Sequence, residues 1–157
     1  ALHQPVAVDL RRVATVLKAN NDLERIADLA VNIAERTQCL DSFPGYQVPD
    51  KLDRMVQVAT EMLCAALDAF VTMDSTAARQ TLSRDDEVDA LNREIIGELQ
   101  EVMRADPEAV VPALHCFSAT RHIERIADLS TNIAEDVIYL VEGEIVRHRH
   151  SEAELHR

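Results

Sequence analysis

Carboxylate side chains recur at a fixed spacing in two segments of this chain that start 100 residues apart. Residues 24–35 read ERIADLAVNIAE and residues 124–135 read ERIADLSTNIAE, so ten of the twelve positions are identical. The identical positions include two Glu, one Asp and one Asn in each copy. Packing of a core requires only an apolar pattern, so a repeat that also preserves these polar side chains indicates a function for them.

In an α-helix the repeated polar side chains lie on one stripe. A helix turns about 100° per residue, which places Glu24, Asp28, Asn32 and Glu35 within about 80° of one another. Carboxylates four residues apart on a helix repel each other weakly, and a bound cation removes that repulsion. The spacing therefore predicts hard oxygen ligands for a metal ion, both here and at the equivalent residues of the second copy, Glu124, Asp128, Asn132 and Glu135.

A third acidic segment has the same helical spacing. Asp85, Asp89 and Asn92 lie at positions i, i+4 and i+7, which fall on one face of a helix. On neighbouring helices these side chains meet those of the second copy. The predicted metal ligands are therefore Glu24, Asp28, Asp85, Asp89, Glu124 and Asp128.

Long helices are needed to hold these stripes, and the apolar pattern predicts four of them. The first runs from about residue 6 to 40, the second begins after Asp50, the third spans about 76–104, and the fourth follows residues 106–107 and ends near 142. No segment has the alternation of a strand. We expect an all-α protein in which the last three helices form an antiparallel bundle, and in which the first helix resembles the fourth but lacks two companions.

Local signals mark the ends of these helices and the core stripe of the first one. Asp50, Asp74 and Asp106 are predicted N-caps, and Pro112 is expected to kink the fourth helix or reset its start. A Pro-Gly turn in residues 41–49 marks the boundary between two structural halves. The predicted core stripe of the first helix consists of Val6, Leu10, Val13, Leu17, Leu23, Ile26, Ala30 and Ile33.

Composition excludes several classes of protein. The 157 residues carry a net charge of −12, which disfavours a nucleic-acid surface and suits cations or basic partner surfaces. Aromatic residues make up 3% of the chain and Trp is absent, so the core is aliphatic. Cys39, Cys64 and Cys116 are far apart and form no CxxC pair, which predicts three buried or neutral thiols in a reducing compartment. We find neither a signal peptide nor a continuous apolar run long enough to span a bilayer.

The repeated motif resembles the signature of the PhoU family. Both copies match the family's Glu-xxx-Asp pattern, residues 85–91 resemble its carboxylate motif on a middle helix, and residues 4–11 resemble the entry into its third helix. The resemblance implies two three-helix bundles in tandem, of which this chain lacks the first two helices. It implies an incomplete first bundle in residues 1–43, a complete second bundle in 50–143, and a polar tail in 144–157. We therefore expect an uncovered apolar face on the first helix, to be covered by another chain or by repacking.

The resemblance also implies a regulatory and non-catalytic function. Members of the family act as negative regulators of phosphate uptake and of the phosphate-starvation response. They contact the ATPase of a phosphate ABC transporter and a sensor histidine kinase at the cytoplasmic face of the membrane. By this resemblance we expect a cytoplasmic homodimer, peripheral to the membrane, that holds iron or zinc on its acidic helix faces. Carboxylates also accept Mg, Mn or Ca.

Two other interpretations compete with this one. A purely structural helical module would have solvated acidic faces, with Arg25 and Arg125 reducing the repulsion between the acids. A carboxylate-bridged di-metal enzyme is disfavoured because the chain contains no Glu-x-x-His pair and His122 projects off the acidic stripe. A designed metal site in the polar tail is also disfavoured, although three histidines occur there, at His148, His150 and His156.

Overall fold

The computed structural model describes residues 4–142, and these residues are helical with short connections. No strand occurs in this range. The prediction of an all-α bundle is confirmed, and the predicted polar tail lies outside the described residues. The elements are α1 (Gln4–Leu40), α2 (Lys51–Thr72), α3 (Ser75–Leu82), α4 (Asp85–Ala105), a 3₁₀ turn (Pro107–Ala109) and α5 (Val110–Glu142).

The third predicted helix is divided in two, which the sequence pattern did not indicate. The amides of Ser83 and Arg84 bond to the carbonyls of Arg79 and Thr81, and this local tightening ends α3. The Ser83 hydroxyl also donates to the Gln80 carbonyl, an alternative to helical bonding that serine often takes. The acidic segment 85–92 therefore opens a helix instead of lying in the middle of one.

Two of the three predicted N-caps are confirmed. Asp74 accepts hydrogen bonds from the amides two and three residues on, at 2.9 and 3.0 Å, and Asp106 accepts one from the Glu108 amide at 2.9 Å. Asp50 makes no capping hydrogen bond because its backbone is already helical. Pro112 lies in the first turn of α5, after the 3₁₀ turn has set the start of the helix, where a proline is tolerated.

Helix α5 is the centre of the structure, and each of the other helices packs on it. One part of the core joins α2, α4 and α5, and a second part joins α2, α3 and α5 with one residue of α1. Both parts are aliphatic, as the composition predicts. Their large buried members are Met55, Val58, Met62, Val88, Ile95, Leu99 and Ile123 in the first, and Ile26, Leu129, Ile133, Val137 and Ile138 in the second.

Helix α2 departs from the expectation that no segment could span a bilayer, because it is long and apolar enough to do so by length and composition alone. A core helix of a water-soluble bundle meets the same criteria, so one such helix is weak evidence. The stripe that includes Met55, Val58 and Met62 is fully buried against α4 and α5.

Helix α1 packs antiparallel to α5. Lys18 Nζ donates to Asp136 Oδ1 at 2.7 Å, and the Arg11 guanidinium lies 5.0 Å from the centre of the Tyr139 ring. The buried residues of α1 recur at steps of four, three and four, which is the spacing of a coiled-coil seam. They are Thr15, Ala19, Asp22 and Ile26.

The predicted core stripe of α1 is wrong for most of its residues. Leu10, Val13, Leu17, Leu23 and Ala30 are exposed, whereas Ile26 is buried and Ile33 is half-buried. Small and polar side chains let α1 approach α5 closely, so the large apolar side chains are left on the outer side. The side chain of Val6 lies outside the described residues.

Candidate functional site

The predicted ligands of α4 and α5 approach one another around Asn92. Asn92 is buried, and its Nδ2 donates to Glu124 Oε1 at 3.3 Å. The same oxygen accepts a hydrogen bond from Arg121 Nη1 at 2.8 Å. Asn92 Oδ1 is also buried and has no hydrogen-bond partner among residues 4–142. An amide oxygen without a partner is thus held beside a carboxylate.

The negative charges of two other carboxylates act on Glu124 at this point. Burial raises the pKa of Glu124, Arg121 opposes that shift, and the carboxylates of Asp128 and Asp89 raise the pKa further. Asp89 is on α4 and Asp128 is one turn along α5, so the field of both helices converges on Glu124. This grouping corresponds to the meeting of the acidic segments that their spacing predicts.

Asp85 lies at the first position of α4 and is 8% exposed. A carboxylate is favoured there because the first turn of a helix presents the positive end of its dipole. Ion pairs to α2 fix this end of α4: Arg84 contacts Glu61 and Arg54 contacts Glu87, each at 2.5 Å. The position at which α4 begins therefore determines where the side chains of Asp85 and Asp89 lie in the bundle.

The first copy of the motif is placed differently. Glu24 and Asp28 are exposed on α1. Asp28 lines a depression of about 250 Å³ with Arg25, Arg125 and His122. A neighbouring depression of about 320 Å³ is lined by both arginines again, together with Arg121, Glu124 and Asp128. The two motif segments therefore cross where their equivalent arginines, Arg25 and Arg125, lie.

In the described range 4–142, no three Asp, Glu, His or Cys side chains lie close enough together to hold a metal ion. The chemistry of the donors fits a hard cation, since carboxylates and the amide oxygen of Asn92 are typical ligands. Their positions fit less well, because Arg121 already bonds to Glu124. Asp89 and Asp128 act on Glu124 through their charges, Asp85 is buried at the start of α4, and Glu24 and Asp28 are on another helix. The six predicted ligands stay a prediction.

Two buried aspartates were missed in the sequence. Asp22 of α1 and Asp136 of α5 are 5% and 8% exposed, and one oxygen of each has no hydrogen-bond partner among residues 4–142. Burial raises the pKa of both carboxyls, and Lys18 opposes both shifts. The seam spacing of Thr15, Ala19, Asp22 and Ile26 is the signal that identifies Asp22 as buried.

A separate depression of about 540 Å³ lies between the loop after α1 and the turn before α5. None of the six predicted ligands lines it. Its wall includes Tyr46, whose hydroxyl faces the Cys116 thiol, and burial raises the pKa of Tyr46 to about 12. The three cysteines are free thiols, of which Cys116 is buried and Cys64 is exposed.

The sequence profile of the PhoU domain matches residues 1–37 and 52–137. The chain belongs to the PhoU family. It is 39% identical over 150 residues to the Aquifex aeolicus phosphate-specific transport system accessory protein PhoU homolog, a match that covers 96% of this chain and 68% of the relative. The Deinococcus radiodurans protein of the same name is 41% identical over 143 residues, covering 91% of this chain and 67% of that protein.

Solved PhoU structures have the same fold. The crystal structure of PhoU from Pseudomonas aeruginosa superposes with a TM-score of 0.86 at 36% identity, over 90% of this chain and 68% of that one. The phosphate transport system regulatory protein PhoU from Streptococcus pneumoniae gives a TM-score of 0.82 at 27% identity, over 89% and 66%. This PhoU chain thus spans about two thirds of the length of the relatives it matches.

Proposed function

We propose that this PhoU chain is an accessory protein of a phosphate transport system that lowers phosphate uptake and represses the phosphate-starvation response. The supporting observation is the PhoU match over both α1 and α2–α5, with relatives named as phosphate-specific transport accessory proteins. The chain acts as a non-catalytic adaptor. Its partners are the ATPase of a phosphate ABC transporter and a sensor histidine kinase, at the cytoplasmic face of the membrane and without insertion into it.

The charge of the chain supports an adaptor of this kind. A net charge of −12 favours contact with basic surfaces of partner proteins and disfavours nucleic acid. Because dissolved salt screens exposed charges, binding to such a partner must weaken as the salt concentration rises. We place the protein in the cytoplasm as a homodimer.

We further propose that Asp85, Asp89, Glu124 and Asp128 hold a metal ion, with iron or zinc favoured over Mg, Mn or Ca. Hard oxygen donors on two adjacent helices support this, as does the buried Asn92 oxygen without a partner. Glu24 and Asp28 contribute a second set on α1. The metal would supply positive charge that links α4 to α5.

The cellular function is tested by complementation in a bacterium that lacks its own phosphate transport accessory protein. We expect expression of this chain to restore low phosphate uptake and low phosphatase synthesis in phosphate-rich medium. A chain that folds and accumulates but leaves both activities derepressed contradicts the proposed function. Variants at the acidic sites then show whether the same residues are needed in the cell.

The metal site is tested by elemental analysis of the untagged protein. We expect tightly held metal in the native chain and its loss when Asp85, Asp89, Glu124 and Asp128 are changed to Asn or Gln. The matched control changes Glu24 and Asp28 in the same way and should retain the metal of the α4–α5 site. Equal metal content in the native chain and the fourfold variant contradicts the assignment.

A second candidate function is an interaction module whose acidic faces are solvated. The contact between Arg121 and Glu124 favours it, because this ion pair neutralises the carboxylate without any metal. The two candidates separate in the elemental analysis: the module predicts a correctly folded chain without bound metal.

A further inference from the structure

The depression of about 540 Å³ beside the loop after α1 gathers aromatic side chains in a chain that has few of them. The sequence contains three Phe and two Tyr, and two of these five, Phe43 and Tyr46, line the depression. Apolar side chains of α4 and α5, Val102 and Pro112, form other parts of its wall. We call this depression, between the loop 43–47 and the segment 102–112, the end pocket. Ligand sites in proteins have volumes of about 300–1,000 Å³.

The loop wall of the end pocket is held in place by the fold. The Phe43 amide donates to the Leu40 carbonyl and the Tyr46 amide donates to the Phe43 carbonyl, each at 2.9 Å. The Tyr46 side chain packs against the first part of the core, and its buried hydroxyl faces the Cys116 thiol. The pocket is therefore shaped before anything binds, which lowers the entropic cost of binding.

Negative charge borders this apolar wall. Asp106 and Glu108 line the pocket with exposed side chains. Helix α4 ends in the wall at Ala105, and the C-terminal end of a helix carries the negative end of its dipole. The basic residues that flank the pocket in sequence, Lys51 and Arg104, pair with glutamates that do not line it. The pocket therefore favours a cation that also carries apolar surface.

We propose that the end pocket is a docking site for an arginine-bearing segment of a partner protein. The apolar stem of an arginine side chain lies along Val102 and Pro112. Its guanidinium pairs with Asp106 or Glu108 and stacks on the Phe43 ring, two contacts that lysine makes less well. This docking site goes beyond the proposed regulatory function and does not depend on it.

The exposure of the wall favours a chain segment over a free small cation. Pro44, Gly45 and Ala105 line the pocket and are exposed to solvent. Among the described residues, and apart from its chain neighbours, no atom lies within 4 Å of the position that a Cβ of Gly45 would take. Small-molecule sites bury about 70–90% of their ligand, whereas a small cation here stays largely in water. The residues on either side of an arginine in a peptide cover the rest of the wall.

The first experiment measures binding of the capped peptide acetyl-Gly-Leu-Arg-Leu-Gly-amide to the whole chain by NMR. We expect amide shifts at Gly45, Ala105 and Ala109, and binding at least tenfold weaker when citrulline, the uncharged analogue, replaces arginine. Absence of shifts at these residues, or equal binding of the citrulline peptide, overturns the proposal. N-ethylguanidinium that binds as tightly as the arginine peptide also overturns it and assigns the pocket to a small cation.

The second experiment removes the charge of the pocket. The double variant Asp106→Asn and Glu108→Gln keeps the shape of both side chains, and Asn also caps helices. We expect the arginine peptide to bind this variant at least fivefold more weakly. The matched control, Asp68→Asn with Asp86→Asn, makes the same change in net charge at exposed positions outside the pocket and should bind as the unmodified chain does. Equal affinity of the two double variants overturns the proposal.

Sedimentation separates a partner protein from a second copy of this chain. We expect the unmodified chain and the variant at Asp106 and Glu108 to have the same oligomeric state. An oligomer that this variant dissolves and the control variant preserves overturns the proposal and assigns the end pocket to a second copy.

Discussion

The first and second copies of the twelve-residue motif form the same helix but not the same environment. In α5 the motif is enclosed, with Ala127, Ile133 and Ala134 fully buried. In α1 the motif contacts α5 on one side, and its Val31 is 58% exposed. Near-identical sequence therefore fixes the local conformation, whereas the number of neighbouring helices decides how deeply each copy is buried.

The contact between α1 and α5 also has two unlike ends. At one end Lys18, Asp22 and Asp136 lie together. At the other end lie Ser118, His122 and Arg36. The repeat makes these three positions equivalent to Lys18, Asp22 and Asp136. Burial lowers the pKa of His122, and the positive charges of Arg36 and Arg125 lower it further. The antiparallel packing thus places an acidic cluster and a basic cluster at opposite ends of one interface.

The largest expected difference between the copies concerns a matched pair of core truncations. Ile123→Ala removes a buried side chain and should lower the free energy of unfolding by about 2–4 kcal/mol, whereas Leu23→Ala, at the equivalent position of α1, should cost less than about 1 kcal/mol. Urea denaturation measures both. Equal losses would show that the α1 position is as well packed as that of α5.

The acidic end of the interface is broken by Lys18→Met. The variant leaves the buried Asp136 carboxylate without its cation, and we expect a loss of about 1–2 kcal/mol at pH 7, limited because Lys18 is half exposed. Arg104→Met is the control, since its pair with Glu101 is exposed on both sides. Urea denaturation of both variants should show a loss for Lys18 alone, and indistinguishable stabilities would contradict the assignment.

A smaller effect on stability is expected from the hydroxyl of Thr131, which its equivalent in the first copy, Val31, lacks. Thr131 is buried and donates to the Asp128 carbonyl at 2.7 Å, so Thr131→Val should cost about 1 kcal/mol. Val31→Thr places the same hydroxyl on an exposed face and should change stability by less than about 0.5 kcal/mol. Thermal unfolding monitored by circular dichroism compares the two, and a larger effect at position 31 would be unexpected.

The smallest effect is a change in the pH dependence of stability. Burial is the main cause that raises the pKa of Asp22; Lys18 opposes it, Asp136 adds to it, and Arg25 opposes it. The folded chain therefore binds this proton more tightly than the unfolded chain does. The free energy of unfolding must fall as pH rises from about 4 through the folded pKa of Asp22.

Asp22→Asn should remove this contribution and flatten the fall in stability between pH 4 and pH 7. Asp28→Asn, at an exposed position of the same helix, serves as the control. Urea denaturation at a series of pH values measures both slopes. An unchanged slope in Asp22→Asn would mean that the carboxylate is better solvated than its burial indicates.

Much of this structure could be predicted from the sequence, for physical reasons that also explain the errors. Helix periodicity is a local property, and so are the caps at Asp74 and Asp106, which the structure confirms. The turn at Ser83 and Arg84 was missed because neither residue is a strong helix breaker. The core stripe of α1 was assigned to its large apolar residues, although the partner helix selected the seam of small and polar ones instead.

The candidate site shows the same limit. Spacing places Asp89, Glu124 and Asp128 on facing stripes, and the field acting on Glu124 agrees with that placement. Spacing does not reveal that Arg121 bonds to Glu124 or that Asp22 is buried, since both depend on which helices become neighbours. A repeat in the sequence identifies equivalent residues but does not supply them with equivalent partners.

The most direct test of the difference between the two copies is amide hydrogen exchange of the unmodified chain. We expect residues 124–135 to exchange only on global unfolding, and residues 24–35 to exchange at least about tenfold faster through local opening of α1. The two segments are nearly identical in sequence, so their intrinsic exchange rates are closely matched. Equal protection of both segments would contradict the claim that neighbouring helices, and not the motif, determine the environment of each copy.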